Sequence, residues 1–156
     1  MAEKESKAPK IREEKAIEAT SIFRQAENLE RETDMIIQNM PARTYWRCGK
    51  PFEEALISAR ENYAMCYRHE KGDNSALKVE YARKAAEAFT QVDLVFRKWY
   101  RGTQVPPSHN VVNAKRHGQL SLIIGELLSA SWAFYHSLLQ KQDRADSAST
   151  KPADNE

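Results

Sequence analysis

Glycine, cysteine and long apolar runs are all scarce in this chain. The 156 residues include 5 glycines and 2 cysteines, and no apolar run reaches the roughly 18 residues that a membrane span requires. Two cysteines are too few for the disulfide framework of a small secreted domain. The first ten residues are charged and lack the apolar segment of a secretory signal. We therefore expect a cytoplasmic protein in which Cys48 and Cys66 stay reduced.

Sequence motifs of the common catalytic sites are also missing. There is no glycine-rich phosphate loop, no Gly-x-Ser-x-Gly motif and no Glu-x-x-His pair of the kind that a di-iron helical bundle needs. Cys66 and His69 lie one helical turn apart and could form half of a zinc site, completed by Cys48, His109 or another chain. A small core residue is the simpler interpretation of Cys66, and a packed side chain that of His117. We expect no enzyme activity, no metal and no cofactor.

Four segments of the chain repeat apolar residues at alternating intervals of three and four, the spacing of a packed helix. The first runs from about Ile11 to Asn39 and ends before Pro41, because a residue preceding proline is pushed out of the α region. Its predicted inner positions are Ile22, Ala26, Leu29, Thr33, Ile36 and Met40.

The other three segments have their own start and stop signals. The second helix begins at Pro51, a favourable first helical position, and ends at Lys71-Gly72. Asp73, Asn74 or Ser75 caps the third helix, which Gly102 ends. Ser108 is predicted to cap the fourth helix.

Four amphipathic helices joined by short connections predict an all-α fold, an antiparallel up-down-up-down four-helix bundle. We assign residues 11–141 to this bundle. Residues 1–10 and 142–156 are predicted to be a flexible tail and a disordered tail, because neither segment has apolar anchors.

The fourth helix has more apolar residues than one packed face needs. Leu122, Leu128, Trp132 and Leu139 lie outside its seam and spread around most of the helix. Either this helix is central in the monomer, or a neighbouring subunit covers a second face. No helix of a four-helix bundle is central, so we favour a homo-oligomer. Its predicted interface residues are Leu122, Gly125, Ser129 and Trp132.

Positive charge is concentrated in the middle of the chain. The formal net charge is +2, but residues 41–140 carry 14 basic and 9 acidic side chains. In an up-down bundle, the connection between the first and second helices lies at the same end as the connection between the third and fourth. We call these the first and third connections, and their basic and aromatic residues would converge at that end. Such a surface suits a phosphate backbone with unpaired bases. The predicted binding residues are Arg43, Tyr45, Trp46, Arg47, Lys50, Arg97, Lys98, Arg101, Lys115 and Arg116.

A simpler explanation of the cluster is that cations are favoured at helix C-termini by the helix dipole. That explanation covers Arg97, Lys98 and Arg101. It does not cover Lys115 and Arg116, which fall in the first turns of a helix, where cations are disfavoured.

Three short stretches resemble a known family. Residues 95–101 read Val-Phe-Arg-Lys-Trp-Tyr-Arg, and residues 123–132 read Ile-Ile-Gly-Glu-Leu-Leu-Ser-Ala-Ser-Trp. Together with Met40-Pro41-Ala42-Arg43, they resemble the four-helix-bundle family that includes proteins encoded in 23S rRNA intervening sequences. They are closest to Avd, the accessory variability determinant of diversity-generating retroelements.

The Avd resemblance implies a homopentameric ring without catalytic activity. Such a ring binds the retroelement's reverse transcriptase and its template RNA or cDNA, and supports mutagenic copying. The intervening-sequence branch implies an alternative, a scaffold or protein-interaction module with no nucleic-acid role. In that case the basic end would contact an acidic protein.

Overall fold

The computed structural model describes residues 20–68 and 75–154. Within those ranges the chain forms four helices and no strand, which confirms the predicted all-α class. We number the helices α1 (Ser21–Gln38), α2 (Lys50–Arg68), α3 (Ser75–Phe96) and α4 (Ala114–Asp154). The predicted N-terminal tail, the first part of the predicted first helix and the Lys71-Gly72 stop lie outside the described residues.

Helix α1 begins at a side-chain cap. The hydroxyl of Thr20 accepts a hydrogen bond from the backbone N–H of Phe23 at 3.3 Å, which satisfies one of the free donors of the first turn. The predicted inner face is correct for its first four positions. At its end the buried residue is Ile37, while Ile36 is only partly buried.

The segment from Pro41 to Lys50, which the predicted boundaries leave between the first and second helices, is instead helical. A turn of α-helix at Ala42–Thr44 leads into a π-helix at Tyr45–Gly49, which continues directly into α2. Pro51 has no backbone N–H, and its ring crowds the carbonyl four residues earlier. The wider π turn before Pro51 relieves that crowding without ending the helix.

The connection between α3 and α4 is longer than predicted. A 3₁₀ turn at Arg97–Trp99 ends α3, and Gly102 has a φ of +98°, a conformation that glycine adopts without strain. A second 3₁₀ turn spans Pro107–His109. The predicted cap at Ser108 is therefore wrong, and the side chain of Asn113 caps α4 by accepting from the N–H of Arg116 at 2.8 Å.

Backbone pairing explains why α4 begins late. The N–H of Val111 donates to the carbonyl of Trp99 at 2.8 Å, and Val112 is buried. Residues 110–112 are thereby held against the end of α3. Helix α4 continues to Asp154, through most of the segment whose composition predicts disorder.

All four helices contribute to one apolar core. Helix α3 packs against α2 and α4, and α1 packs mainly on α4, with fewer contacts to α2. Leu29, Phe52, Phe89 and Leu120 are each at most 1% exposed and come from α1, α2, α3 and α4 in turn. The cluster extends to Trp99, so the core closes at the end where α3 stops.

One helix among the described residues is long and apolar enough, by length and composition alone, to cross a membrane. The candidate span is Pro107–Ser147, which includes most of α4, and 17% of its most apolar window is buried. The core helix of a soluble protein passes the same test, so this finding is weak evidence for a membrane span.

Candidate nucleic-acid interface

A hydrogen bond between distant residues joins the first and third connections. The indole Nε1–H of Trp99 donates to the backbone carbonyl of Cys48 at 3.1 Å. The Trp99 ring is fully buried, with its centroid 4.8 Å from that of Phe52 and 5.1 Å from that of Phe96. The 3₁₀ turn of Arg97–Trp99 is thereby fixed against the π-helix that contains Cys48.

The thiol of Cys48 is in the electrostatic field of three cations. Burial raises the pKa of Cys48, and the positive charges of Arg47, Lys98 and Arg101 oppose that rise. One of these cations comes from the first connection and two from the third. All three side chains are exposed, and none forms an ion pair with another described residue. We call Arg47, Lys98 and Arg101 the cationic patch.

Two aromatic residues precede the patch, and they have different environments. Trp46 is 63% exposed, and the ammonium of Lys50 lies 4.3 Å from its ring centroid. Tyr45 packs against the core, and its hydroxyl donates to Glu53 Oε2 at 3.2 Å. That hydrogen bond raises the pKa of Tyr45. Trp46 is therefore the more accessible of the two rings, although Lys50 already contacts it.

Three of the predicted cations already have carboxylate partners. Arg97 pairs with Asp93 at 2.9 Å, and Lys50 pairs with Glu54 at 3.8 Å. Arg116 Nη2 lies 2.5 Å from Glu32 Oε2 and 3.4 Å from the Glu32 carbonyl.

The ion pair of Arg116 explains why a cation occupies the first turn of α4. The carboxylate of Glu32, on α1, compensates the unfavourable interaction with the helix dipole. The remaining predicted cations, Arg43 and Lys115, are exposed. Of the predicted cations, Arg47, Lys98 and Arg101 act on the same thiol, whereas Arg116 joins two helices.

The histidine on the fourth-helix seam packs among aromatic rings. The His117 imidazole stacks on Phe96, with centroids 4.6 Å apart and planes 4° from parallel. It also lies 5.6 Å from Tyr100. This arrangement fixes the start of α4 beside the end of α3.

The predicted oligomer-interface residues fall on two faces of α4. Leu122 is 72% exposed, and Gly125 and Ser129 are also exposed. Trp132 is partly buried, and its indole N–H donates to the hydroxyl of Thr90 on α3 at 3.2 Å. Leu122, Gly125 and Ser129 therefore form an open stripe, whereas Trp132 contacts its own chain.

The cysteines show no metal-site geometry. Cys66 is fully buried, and burial raises the pKa of its thiol to about 12. His69 lies outside the described residues. In the part of the chain that the structure describes, no three histidine, cysteine or carboxylate side chains are grouped to hold a metal ion.

Sequence reasoning missed a cleft between α1 and α2. Two cavities of about 250 and 330 Å³ share Glu30, Asp34 and Arg60 on their walls. The spacing of Glu27, Glu30 and Asp34, at intervals of three and four, was the available signal for an acidic face on α1. The apolar floor could not have been inferred, because it depends on how α1 and α2 are packed.

No protein-family model, curated protein or solved structure matches this chain. The fold and the candidate site define it as an all-helical protein with an exposed cationic patch beside an exposed tryptophan.

Proposed function

We propose that this chain is a non-catalytic, cytoplasmic accessory protein of a diversity-generating retroelement. It is an antiparallel up-down-up-down four-helix bundle that assembles as a ring-shaped homopentamer. It binds the reverse transcriptase together with the template RNA or cDNA, and it supports mutagenic reverse transcription. The resemblance of residues 95–101 and 123–132 to Avd supports this proposal, and the cationic patch is the observation that carries it.

The patch supports nucleic-acid binding because its charges are uncompensated. Arg47, Lys98 and Arg101 have no carboxylate partner among the described residues, so a phosphate backbone would not have to displace an internal acid. Each cation that neutralises a phosphate releases a counterion, which makes binding dependent on salt. In a ring, each subunit would repeat the patch, and the repeated fields would raise the local concentration of RNA.

Trp46 supports a single-stranded target. It precedes Arg47 in the same π-helix, and most of its surface is open to solvent. An exposed ring next to phosphate-binding cations is the usual arrangement for stacking an unpaired base. A fully paired duplex would offer such a ring no base face except at its ends.

The exposed stripe of α4 supports the homo-oligomer. Leu122 presents a large apolar side chain to solvent, and a Cβ placed at Gly125 would meet nothing within 4 Å. The monomer therefore has no packing reason for a glycine there. A neighbouring subunit that approaches α4 closely would explain the glycine, because a larger side chain would obstruct that approach.

The experiment is an RNA titration at several salt concentrations with two triple variants. Arg47→Glu, Lys98→Glu and Arg101→Glu together should weaken binding of a single-stranded RNA. The slope of log affinity against log salt should fall by about 2 to 3, as expected for three lost phosphate contacts.

The matched control reverses three exposed cations elsewhere, Arg24→Glu, Lys84→Glu and Lys141→Glu. The control changes the net charge by the same amount as the patch variant. It should reduce the slope of log affinity against log salt by less than the patch variant does. Equal losses in the two variants would reduce the effect to overall charge and contradict a specific patch.

The pairing of Lys50, Arg97 and Arg116 with carboxylates favours a second candidate function. If the basic residues chiefly stabilise the helices, the protein is a scaffold or protein-interaction module without a nucleic-acid role. The same titration then gives only weak RNA binding, unaffected by either triple variant.

A further inference from the structure

The cleft between α1 and α2 has an apolar floor. Ile37, Phe52 and Leu56 line it and are at most 6% exposed. Thr33 also lines it, but its hydroxyl already donates to the carbonyl of Leu29 at 2.8 Å. The floor therefore offers a ligand apolar contact and few free hydrogen-bonding groups.

The rim of the cleft combines an exposed apolar residue with carboxylates. Ile57 is 52% exposed although it lines the cavity. Four carboxylates and two guanidiniums surround the two cavities. The carboxylates belong to Glu27, Glu30, Asp34 and Glu53, and the guanidiniums to Arg31 and Arg60.

Two of the rim carboxylates have no cationic partner in the described part of the chain. Glu27 pairs with Arg31 at 4.0 Å, and Glu30 pairs with Arg60. Among the described residues, Asp34 accepts a hydrogen bond only from the Gln38 amide, and Glu53 only from the Tyr45 hydroxyl. Neither Asp34 nor Glu53 forms an ion pair with any residue in the described ranges. The rim is therefore negative, although the chain as a whole is positive.

We infer that this cleft is a docking site for a lysine- or arginine-rich amphipathic helix of a partner protein. One large apolar side chain of the partner enters the cavity over Phe52 and Leu56. Lysine or arginine residues one turn away on the partner pair with Asp34 and Glu53. An apolar anchor inside a charged rim is the common form of an interface hot spot.

The charge favours this occupant. Asp34 on α1 and Glu53 on α2 line the same cavity, so cations on either side of the partner's apolar side chain can reach one carboxylate on each helix. The negative rim repels phosphates, so this surface is distinct from the cationic patch, and the inference does not depend on the proposed function.

The experiment uses a labelled synthetic helical peptide of leucine and lysine, with fluorescence anisotropy as the readout. It should bind the full chain, whereas a leucine–glutamate peptide and a serine–lysine peptide of equal length should not. Asp34→Lys combined with Ile57→Ser should weaken binding by about tenfold or more, as expected for loss of a hot spot. Asp34→Asn, which keeps the side-chain shape, should weaken it less and guards against misfolding of the double variant.

The matched control replaces an exposed acid and an exposed leucine outside the cleft, Glu61→Lys with Leu94→Ser. It should bind the peptide as the parent chain does. Reversing the cationic patch should leave peptide binding unchanged, and Asp34→Lys with Ile57→Ser should leave RNA binding intact. The two proposals can therefore fail separately.

Three results would overturn the inference. The first is no binding of the leucine–lysine peptide, and the second is equal weakening by the cleft variant and its control. The third is a lower sedimentation mass for the cleft variant, which would mean that a second copy of the chain occupies the cleft.

Discussion

The indole of Trp99 donates a hydrogen bond to the backbone carbonyl of Cys48, 51 residues earlier in the sequence. This bond holds the end of α3 against the π-helix before α2. Lys98 and Arg101 then act on the Cys48 thiol together with Arg47, and three like charges in one region repel one another. The core at this end therefore stabilises a surface that is electrostatically unfavourable without a ligand.

Trp99→Phe should destabilise the fold and loosen the cationic patch. The substitution removes the donor to the Cys48 carbonyl and leaves a small cavity in the core, at a cost of about 2–3 kcal/mol. Urea unfolding measures this loss. Trp46→Phe, at an exposed position, should change stability by less than about 0.5 kcal/mol. Equal effects of the two substitutions would mean that the Trp99 bond contributes nothing.

Trp46→Ala should reduce binding to single-stranded RNA while leaving the fold intact. Loss of one base-stacking contact costs about 1–3 kcal/mol of affinity. Anisotropy titrations with single-stranded and duplex RNA of the same composition make the measurement, and only the single-stranded affinity should fall. A parallel loss for the duplex would argue against stacking.

Alanine at two glycines should have opposite effects on stability. At Gly49 an added Cβ would lie 2.8 Å from Tyr45 Cδ2 and 2.9 Å from Met40 Sδ, so Gly49→Ala should destabilise the chain by about 1–3 kcal/mol. Gly125 is exposed within α4, and Gly125→Ala should stabilise the isolated helix by about 0.5–1 kcal/mol. Thermal unfolding compares the two variants.

Gly125→Ala also tests the proposed homo-oligomer. If a neighbouring subunit packs closely on this stripe, the added methyl group weakens assembly even as it favours the helix. Sedimentation of Gly125→Ala and of Leu122→Glu should then give lower masses than the parent chain. Unchanged masses for both variants would remove this stripe from the interface.

Arg116→Gln should affect stability slightly and RNA binding hardly at all. Its ion pair with Glu32 is partly exposed, and such pairs contribute about 0–1 kcal/mol. Glu32→Gln should produce a similar loss, and the double substitution should cost less than the sum of the two. An RNA affinity as sensitive to Arg116→Gln as to Arg47→Gln would place Arg116 in the binding site.

Alkaline pH should lower the stability contributed by Cys66. Burial raises the pKa of its thiol from an ordinary 9.0 to about 12 in the folded chain. The unfolded chain therefore releases this proton first as the pH rises. The contribution of the neutral Cys66 thiol to the free energy of unfolding is fully present below pH 9. Between pH 9 and 12 it falls by up to about 1.4 kcal/mol per pH unit.

Urea unfolding of the parent chain and of Cys66→Ala at pH 8 and pH 10 isolates this effect, because other titrating groups are common to both. The difference between the two chains should shrink at pH 10.

Alkylation with iodoacetamide should modify Cys48 before Cys66 in the folded state. Simultaneous modification would contradict the burial of Cys66.

Local patterns in the sequence were sufficient for the helical class. From Ile22 to Thr33 the inner residues recur at intervals of three and four. Residues at those intervals lie on one face of any helix, so this face of α1 could be predicted without knowledge of the other helices. The boundaries were less predictable. Pro51 indicated a helix start, yet the chain is helical from Ala42, because the π turn accommodates the proline within a continuous helix. Ser108 resembled a cap, but pairing of Val111 with Trp99 delays the start of α4 until Ala114.

The sequence by itself determined that the chain is helical, that its middle is basic, and that α4 has more apolar surface than one face requires. Only the tertiary structure decided which basic residues are free. Arg116 is neutralised by Glu32, 84 residues away, whereas Arg47, Lys98 and Arg101 have no such partner in residues 20–68 and 75–154. Ion pairing depends on distances of a few ångströms between side chains from different helices, and the packing of the core sets those distances.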